Sequence, residues 1–327
     1  MMIQVKSESQ NSTKLSPESL LGKSGQISLP GTNCTVKAEV PLTKLTSYRV
    51  GGPAEWLVIP QHLEELQASL EWAQSQKLPV TFLGAGSNLL VSDRGVPGLV
   101  ISTRKLRQTN FDAEMGQVTA SAGQLMAILA TKAADKGWQG LEWAVGIPGT
   151  VGGAVVMNAG AHNLATSDIL VKTKVMSLDG HIKHLMVPDL DFSYRTSNLQ
   201  GDSRLVVEAT FQLQPGAEPQ EVKALTEAAL NLRHQSQPYD LPSCGSVFRN
   251  PHPQYAARLI EQSGLKGHTI GGAQVAQKHA NFIVNYNHQA SASDIFELIC
   301  YIQQQVHQRW EVNLEPEVRL LGNFPTN

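Results

Sequence analysis

Two glycine-rich turns are the first residues in this sequence whose types and spacing suggest chemistry. Gly84-Ala85-Gly86-Ser87-Asn88 and Gly146-Ile147-Pro148-Gly149-Thr150-Val151-Gly152-Gly153 begin 62 positions apart. Glycine lets backbone come close to a ligand, and successive N–H groups can then cradle phosphate oxygens. The first turn lacks the third glycine of G-x-G-x-x-G, and the second lacks the Gly-Lys-Ser/Thr of a P-loop. Each alone reads as an ordinary tight turn. Two in one domain suit a diphosphate held from two loops.

Three further clusters carry polar groups with a bland and a chemical reading each. Tyr194-Arg195 follows Phe192 and precedes Thr196-Ser197-Asn198. The arginine is either a fork for an anionic group or a surface side chain stacked on Tyr194. Ser243-Cys244-Gly245-Ser246-Val247-Phe248-Arg249-Asn250-Pro251 is not the G-x-S-x-G elbow, because Val247 stands where the second glycine would be. Ser246 is then either a reactive hydroxyl or the start of a strand. Leu314 to Leu320 alternates by two, which would put Glu315, Glu317 and Arg319 on one face of an exposed edge strand. Lys278-His279 precedes an apolar run ending at Asn285, where a lone histidine is more often structural than a ligand. The ten histidines show neither H-x-x-x-H nor H-E-x-x-H, so no catalytic metal is expected.

The elements that must position these residues follow from periodicity. Leu63, Leu66, Leu70 and Ala73 predict a helix, and Pro79 to Leu83 a strand running into the first glycine turn. Leu99 to Ile101 and Leu205 to Leu213 also read as strands. Leu125, Ile128, Leu129 and Ala133 predict a helix that Gly137 ends. Val222, Leu225, Ala229 and Leu232 make one helical face, and Tyr255 to Gln262 forms a shorter helix. Asp294 with Glu297 suggests a capping box opening a helix through Trp310. Val312 to Leu321 alternates like a strand.

With 26 Lys+Arg against 28 Asp+Glu the net charge is −2, which argues against a nucleic-acid partner. Three cysteines far apart exclude a disulfide framework and suit a reducing cytoplasm. No apolar run approaches the ~18 residues of a membrane span, and no signal-peptide pattern opens the chain. Residues 1–38 hold no aromatic residue, and seven serines fall in the first thirty positions. That composition predicts a disordered tail. Pro215, Gly216 and Pro219 mark a domain boundary.

The order of the motifs resembles one family. Tyr48-Arg49-Val50-Gly51-Gly52-Pro53-Ala54, the two glycine turns, Tyr194-Arg195, Gly245 to Pro251 and Glu315-Pro316-Glu317-Val318-Arg319 are similar to the UDP-N-acetylenolpyruvoylglucosamine reductases (MurB) over Leu42 to Leu321. The resemblance implies an α+β chain: an FAD-binding domain of the vanillyl-alcohol oxidase type in two subdomains (39–215), a C-terminal α/β substrate-binding domain (220–316), and a strand, 317–327, returning to the active site. It implies non-covalent FAD, held by Arg49, Gly51, Gly52, Gly84, Ala85, Gly86, Ser87, Asn88, Gly146, Ile147, Pro148, Gly149, Thr150 and Gly153. NADPH would be the hydride-donating co-substrate. Arg195, Ser246 and Glu317 take the places of the catalytic residues, and Tyr194, Arg233, Asn250, Lys278 and His279 fall on the UDP-sugar side. Only 51 positions separate Arg195 from Ser246, too few for the extra subdomain and tyrosine-bearing loop of the family's longer form, so the chain resembles type II.

The implied reaction reduces UDP-N-acetylglucosamine enolpyruvate in peptidoglycan synthesis, in a cytoplasmic monomer. Arg195 would hold the carboxylate on which charge develops, with Glu317 assisting, and Ser246 would deliver a proton to the adjacent carbon. Two other classes compete: a flavin oxidase of the same fold acting on an alcohol, and a nucleotide-sugar-binding protein without catalysis.

Overall fold

A computed structural model describes residues 26–325 of the chain. In order along the chain the strands and helices are β1 (Gln26–Ser28), β2 (Thr35–Pro41), β3 (Pro53–Val58), α1 (Leu63–Ser75), β4 (Val80–Leu83), β5 (Leu89–Val91), β6 (Val96–Ser102), β7 (Thr109–Asp112), β8 (Gln117–Ser121), α2 (Met126–Asp135), α3 (Val151–Met157), β9 (Gly160–Ala161), β10 (Leu164–Ala165) and α4 (Thr166–Ile169). They continue with β11 (Leu170–Met176), β12 (Ile182–Met186), β13 (Leu205–Gln212), α5 (Pro219–Ser236), α6 (Ala256–Gln262), β14 (Thr269–Ile270), β15 (Ala273–Val275), β16 (Ile283–Asn285), α7 (Ala292–Trp310) and β17 (Arg319–Leu321).

The described chain divides into two compact units, neither contiguous. The first takes the chain up to Val40, Ala54–Ala85 and Pro97–Leu230; the second takes Pro41–Pro53, Gly86–Val96 and everything from Asn231. The expected boundary near 215–220 is therefore displaced. Pro219 opens α5 rather than ending a domain, as proline does well in a first helical turn. The 41–53 and 86–96 segments belong with the C-terminal part.

The first unit holds two five-stranded sheets, ordered β1-β2-β3-β6-β4 and β12-β11-β13-β8-β7. The second is antiparallel throughout, with β13 between β11 and β8. Between Lys174 and Val175 the register slips: Lys174 faces Glu208, but Val175 faces Val206. A bulge of this kind switches which side chains face which side. Leu205 and Val207 accordingly join a core with Trp56, Leu66 and Leu99, while Ala209 and Phe211 join one with Val118, Leu129 and Val151.

Several expected helical faces are narrower than the spacing suggested. In α1, Leu66, Leu70 and Ala73 are buried as expected. Ile128 of α2 is exposed, and Gly137 ends that helix at φ +69°. In α5, Val222 and Thr226 are buried, whereas Leu225 and Leu232 are more than half exposed.

The predicted tail holds for no described residue. β1 pairs antiparallel with β2, and Leu29, Cys34 and Val36 are buried in the core of Trp56 and Leu66. Three apolar side chains on a polar hairpin suffice because they cap an existing core. Residues 1–25 of that expected tail lie outside the described residues.

In the second unit, β14-β15-β16 form an antiparallel sheet, and β5 pairs in parallel with β17. α7 turns Ile295, Leu298, Ile299, Ile302 and Val306 into a core shared with Tyr48, Leu90, Phe248 and Ile260. Its cap is one turn earlier than expected: Ser291 Oγ accepts the Asp294 N–H at 3.0 Å, and the Asp294 carboxylate accepts the Ser291 N–H at 2.9 Å. Of the strand expected over 312–321, only β17 forms, so Glu315, Glu317 and Arg319 are not one solvated ladder. Among the described residues no helix is long and apolar enough to cross a membrane.

Candidate active site

The first glycine turn starts where β4 ends. Arg104 fixes its opening: Nη2 donates to the Ala85 carbonyl at 2.9 Å and Nε to the Gly84 carbonyl at 3.4 Å. Burial, then the neighbouring Arg107, lowers the Arg104 pKa from its usual value. Nothing in the local sequence marked Arg104, which acts on carbonyls about twenty positions away.

Within the first unit the two turns meet. A Cβ on Gly84 would stand 2.7 Å from Thr150 Oγ1, so this approach requires glycine. Thr150 caps α3, its Oγ1 accepting the Gly153 N–H at 3.5 Å. Gly149 has φ +139°, a conformation that side chains disfavour, and its carbonyl accepts the Met126 N–H at 3.1 Å. Gly153 is open: the nearest atom to an added Cβ is Thr150 Oγ1 at 3.7 Å. The N–H groups of Val151, Gly152 and Gly153 are engaged by Gln124, Ala122 and Thr150, so what the abutting turns offer a diphosphate is glycine backbone with open space beside Gly153. The residues present therefore fit the phosphate end of a dinucleotide cofactor such as FAD.

The same helix carries the arginine loop. Asn158, which ends α3 in the left-handed region, donates from Nδ2 to the Ser193 carbonyl at 3.0 Å. Ser197 Oγ donates to the Val156 carbonyl at 2.7 Å, and Gln200 Nε2 donates to the Arg195 carbonyl at 2.8 Å. Arg195 is held at φ +56°, with Nη2 donating to the Gly160 carbonyl at 2.7 Å. Its guanidinium also lies 5.3 Å from the Tyr194 ring centre, as the bland reading expected. The second glycine turn, α3 and Arg195 thus form one connected piece of the first unit.

The segments that carry Ser246 and Glu317 pair through their backbones in the second unit. The Glu317 N–H donates to the Val247 carbonyl at 2.7 Å, and the Arg249 N–H donates to the Glu315 carbonyl at 2.9 Å. Phe248 and Pro316 form an antiparallel bridge between them. Ser246 does not open a strand; it is half-buried beside the buried Val247 and Phe248, and Glu317 is also half-buried. Asn88 Nδ2 donates to the Glu317 carbonyl at 3.1 Å, and the Asn88 carbonyl accepts the Arg319 N–H at 3.0 Å. Asn88, expected on the cofactor, ties down the Glu317 backbone.

The remaining expected residues are placed as follows. Arg49 is left-handed at φ +58°, and Gly51 packs so that a Cβ would stand 2.7 Å from Val91 Cβ. The Gly52 N–H donates to the Ser92 carbonyl at 2.9 Å, and the Gly86 carbonyl accepts the Ser47 N–H at 3.0 Å. Asn250 Oδ1 accepts the Ala256 N–H at 3.1 Å, at the start of α6. Arg233 donates to Tyr239 Oη and Gln237 Oε1, both at 3.1 Å, and Lys278 Nζ donates to the His234 carbonyl at 2.7 Å. His279 Nδ1 accepts the Asn281 N–H at 3.2 Å, which leaves the ring proton on Nε2; burial lowers its pKa below the ordinary histidine value. Burial pushes the Cys244 thiol up to about 12, so it is no nucleophile despite lying two residues from Ser246. Among the described residues no three His, Cys, Asp or Glu side chains group to hold a metal.

Comparison with known proteins finds clear relatives of this chain. Residues 237–321 match the family described as UDP-N-acetylenolpyruvoylglucosamine reductase, C-terminal domain, and residues 54–186 match an FAD binding domain. A UDP-N-acetylenolpyruvoylglucosamine reductase of Nostoc sp. is 61% identical over 298 residues, covering 91% of this chain and 90% of its own. One from Synechocystis sp. is 57% identical over 301 residues, covering 91% and 94%. The crystal structure of the Thermus caldophilus enzyme superposes with a TM-score of 0.75 at 35% identity, covering 87% of this chain and 98% of that one. The expectation of an α+β chain with an FAD-binding domain and a C-terminal reductase domain agrees with these matches.

Proposed function

This chain belongs to the UDP-N-acetylenolpyruvoylglucosamine reductase family and is an oxidoreductase of cell-wall synthesis, and on that premise we propose that it reduces UDP-N-acetylglucosamine enolpyruvate to UDP-N-acetylmuramate with NADPH and non-covalent FAD. The observation that carries the reading is the backbone pairing of the Ser246 and Glu317 segments, through the Glu317 N–H on the Val247 carbonyl at 2.7 Å. It supports the reading because the short segments that carry Ser246 and Glu317 are paired through their backbones beside the buried Val247 and Phe248.

When bound, FAD supplies the transfer of hydride from NADPH to the methylene carbon of the enolpyruvyl group. The protein's own residues do the rest. Gly84 to Asn88 and Gly146 to Thr150 hold the cofactor diphosphate by backbone N–H groups, with Arg49, Gly51 and Gly52 beside it. Arg195 holds the substrate carboxylate by charge-assisted hydrogen bonds, strongest where negative charge develops. Ser246 Oγ gives its proton to the carbon next to that carboxylate. A hydroxyl is a weak acid, so this works only toward a strongly basic acceptor, which a carbanion beside a carboxylate is. Glu317 shares a proton at the carboxylate end. Tyr194, Arg233, Asn250, Lys278 and His279 contribute to the UDP-sugar side of a site in the compact, type II form. The reading extends to a cytoplasmic monomer acting on small molecules, not on nucleic acid.

The test uses the purified chain under nitrogen. A yellow protein that NADPH bleaches, and whose colour returns on adding the enolpyruvyl sugar, is the expected result. Bleaching by an alcohol with recovery in oxygen would identify a flavin oxidase instead. A colourless protein that binds the sugar nucleotide would identify a binding protein without catalysis.

A further inference from the structure

We infer that Asn281 is a positioning residue for proton delivery by Ser246, an inference that rests on the role proposed for that serine. Asn281 is 4% exposed and lies just before β16. Its side-chain amide matches one residue at both ends: Oδ1 accepts the Phe248 N–H at 3.0 Å, and Nδ2 donates to the Phe248 carbonyl at 2.8 Å. Its own carbonyl accepts the Val247 N–H at 2.8 Å.

On the opposite side, the Val247 carbonyl and the Arg249 N–H bond to Glu317 and Glu315. Every backbone donor and acceptor of Val247 and Phe248 is thereby engaged, three of the four by Asn281. The segment is no regular strand, yet it is held as the middle rung of a ladder, with one side chain standing in for the missing neighbour. Burying Val247 and Phe248 would keep the segment in place without this amide. What the amide adds is the angle and height of the backbone that carries Ser246 Oγ and of its link to Glu317. A proton transfer is sensitive to displacements of that size, about 1 Å for a hundredfold in rate. The Asn281 N–H in turn rests on His279 Nδ1, which orients the clamp from behind.

The experiment measures the two half-reactions of the flavin-loaded enzyme separately, with a solvent deuterium isotope effect on the second. Asn281→Asp keeps the shape and the acceptor but loses the donor to the Phe248 carbonyl. It should leave flavin reduction by NADPH within about twofold of wild type. Reoxidation by the enolpyruvyl sugar should slow by roughly 10- to 100-fold, with an enlarged isotope effect. Added to Ser246→Ala, it should cause no further loss. Asn281→Ser, smaller and able to donate, is measured in the same way should the aspartate variant lose flavin. If Ser246→Ala leaves reoxidation unchanged, the serine's role fails and this inference with it. If Ser246→Ala slows reoxidation but the Asn281 variants affect both halves alike, or add fully to the serine loss, Asn281 serves the fold alone.

Discussion

At the scale of single residues, burial decides which reactive-looking groups are available. Cys244 sits beside the proposed proton donor, but its thiol is pushed up to about 12 and its Sγ lies 3.3 Å from the Leu89 carbonyl. Cys34 is also buried with its pKa raised, whereas Cys300 is half-buried in α7. A thiol titration of the native protein near pH 8 should therefore count at most one reactive cysteine, Cys300, and three after denaturation; early reaction of Cys244 would contradict this. His279 gives a pH dependence with a definite sign. Its folded pKa lies below the ordinary value of 6.5, so the unfolded chain takes up the proton first. Stability from this residue is complete above about pH 6.5 and is lost as pH falls through the folded value. His279→Gln does not titrate, so its unfolding free energy should decline less than wild type's on acidification; parallel curves would remove the effect. The chemical motifs were legible in the sequence because glycines, an arginine and a serine occur there in dense, ordered groups. Arg104, Asn281 and the bond from Asn88 to the Glu317 backbone were not. Each works through side-chain bonds to backbone 19, 33 or 229 positions away, which no local pattern records.

At the scale of elements, α3 offers a test that separates folding from cofactor binding. Gly153 lies in its first turn, with ordinary backbone and open space around an added Cβ. Gly153→Ala should raise the stability of the flavin-free protein by about 0.5–1 kcal/mol. If the turn faces a diphosphate, the same methyl group should weaken FAD binding. A variant that is stabler and binds FAD unchanged would show that the phosphate lies elsewhere. Gly149→Val, at φ +139°, should lose both stability and yellow colour. The β1–β2 hairpin escaped the sequence reading because its apolar residues are few and scattered among polar ones such as Gln26, Ser28, Thr32, Asn33 and Lys37. They are nonetheless covered: Leu29 is 1% exposed and Val36 0%. Leu29→Ala should cost roughly 2–5 kcal/mol by chemical denaturation. A cost near zero would return the segment to the status of a tail. Helices and strands along α1, β4, β13 and α7 were legible because each has one strong period. The 312–318 stretch alternated equally well, but it pairs with the short Ser246 segment rather than with a strand.

At the scale of the whole molecule, the chain does not divide as its linear order suggests. Tyr48, Val50 and Leu90 belong to the core of the C-terminal part, and β5 pairs with β17 across 230 positions. A fragment beginning at residue 220 would lack those side chains and that strand. It should show no cooperative unfolding transition, whereas the full chain should; a cooperative fragment would mean that the 41–53 and 86–96 segments are dispensable. The proposed reaction divides into two halves, and the role proposed for Ser246 belongs to only one of them. Reduction of bound flavin by NADPH needs no proton from a protein hydroxyl. Return of that hydride to the enolpyruvyl sugar leaves a carbon that must be protonated, and the loss of a general acid typically costs about 10²–10⁴-fold. The direct measurement is anaerobic stopped-flow on Ser246→Ala, following flavin absorbance first with NADPH and then with UDP-N-acetylglucosamine enolpyruvate. Bleaching at a near wild-type rate with reoxidation slowed by about 10²-fold or more is the predicted result; equal loss in both halves, or none in either, would contradict it.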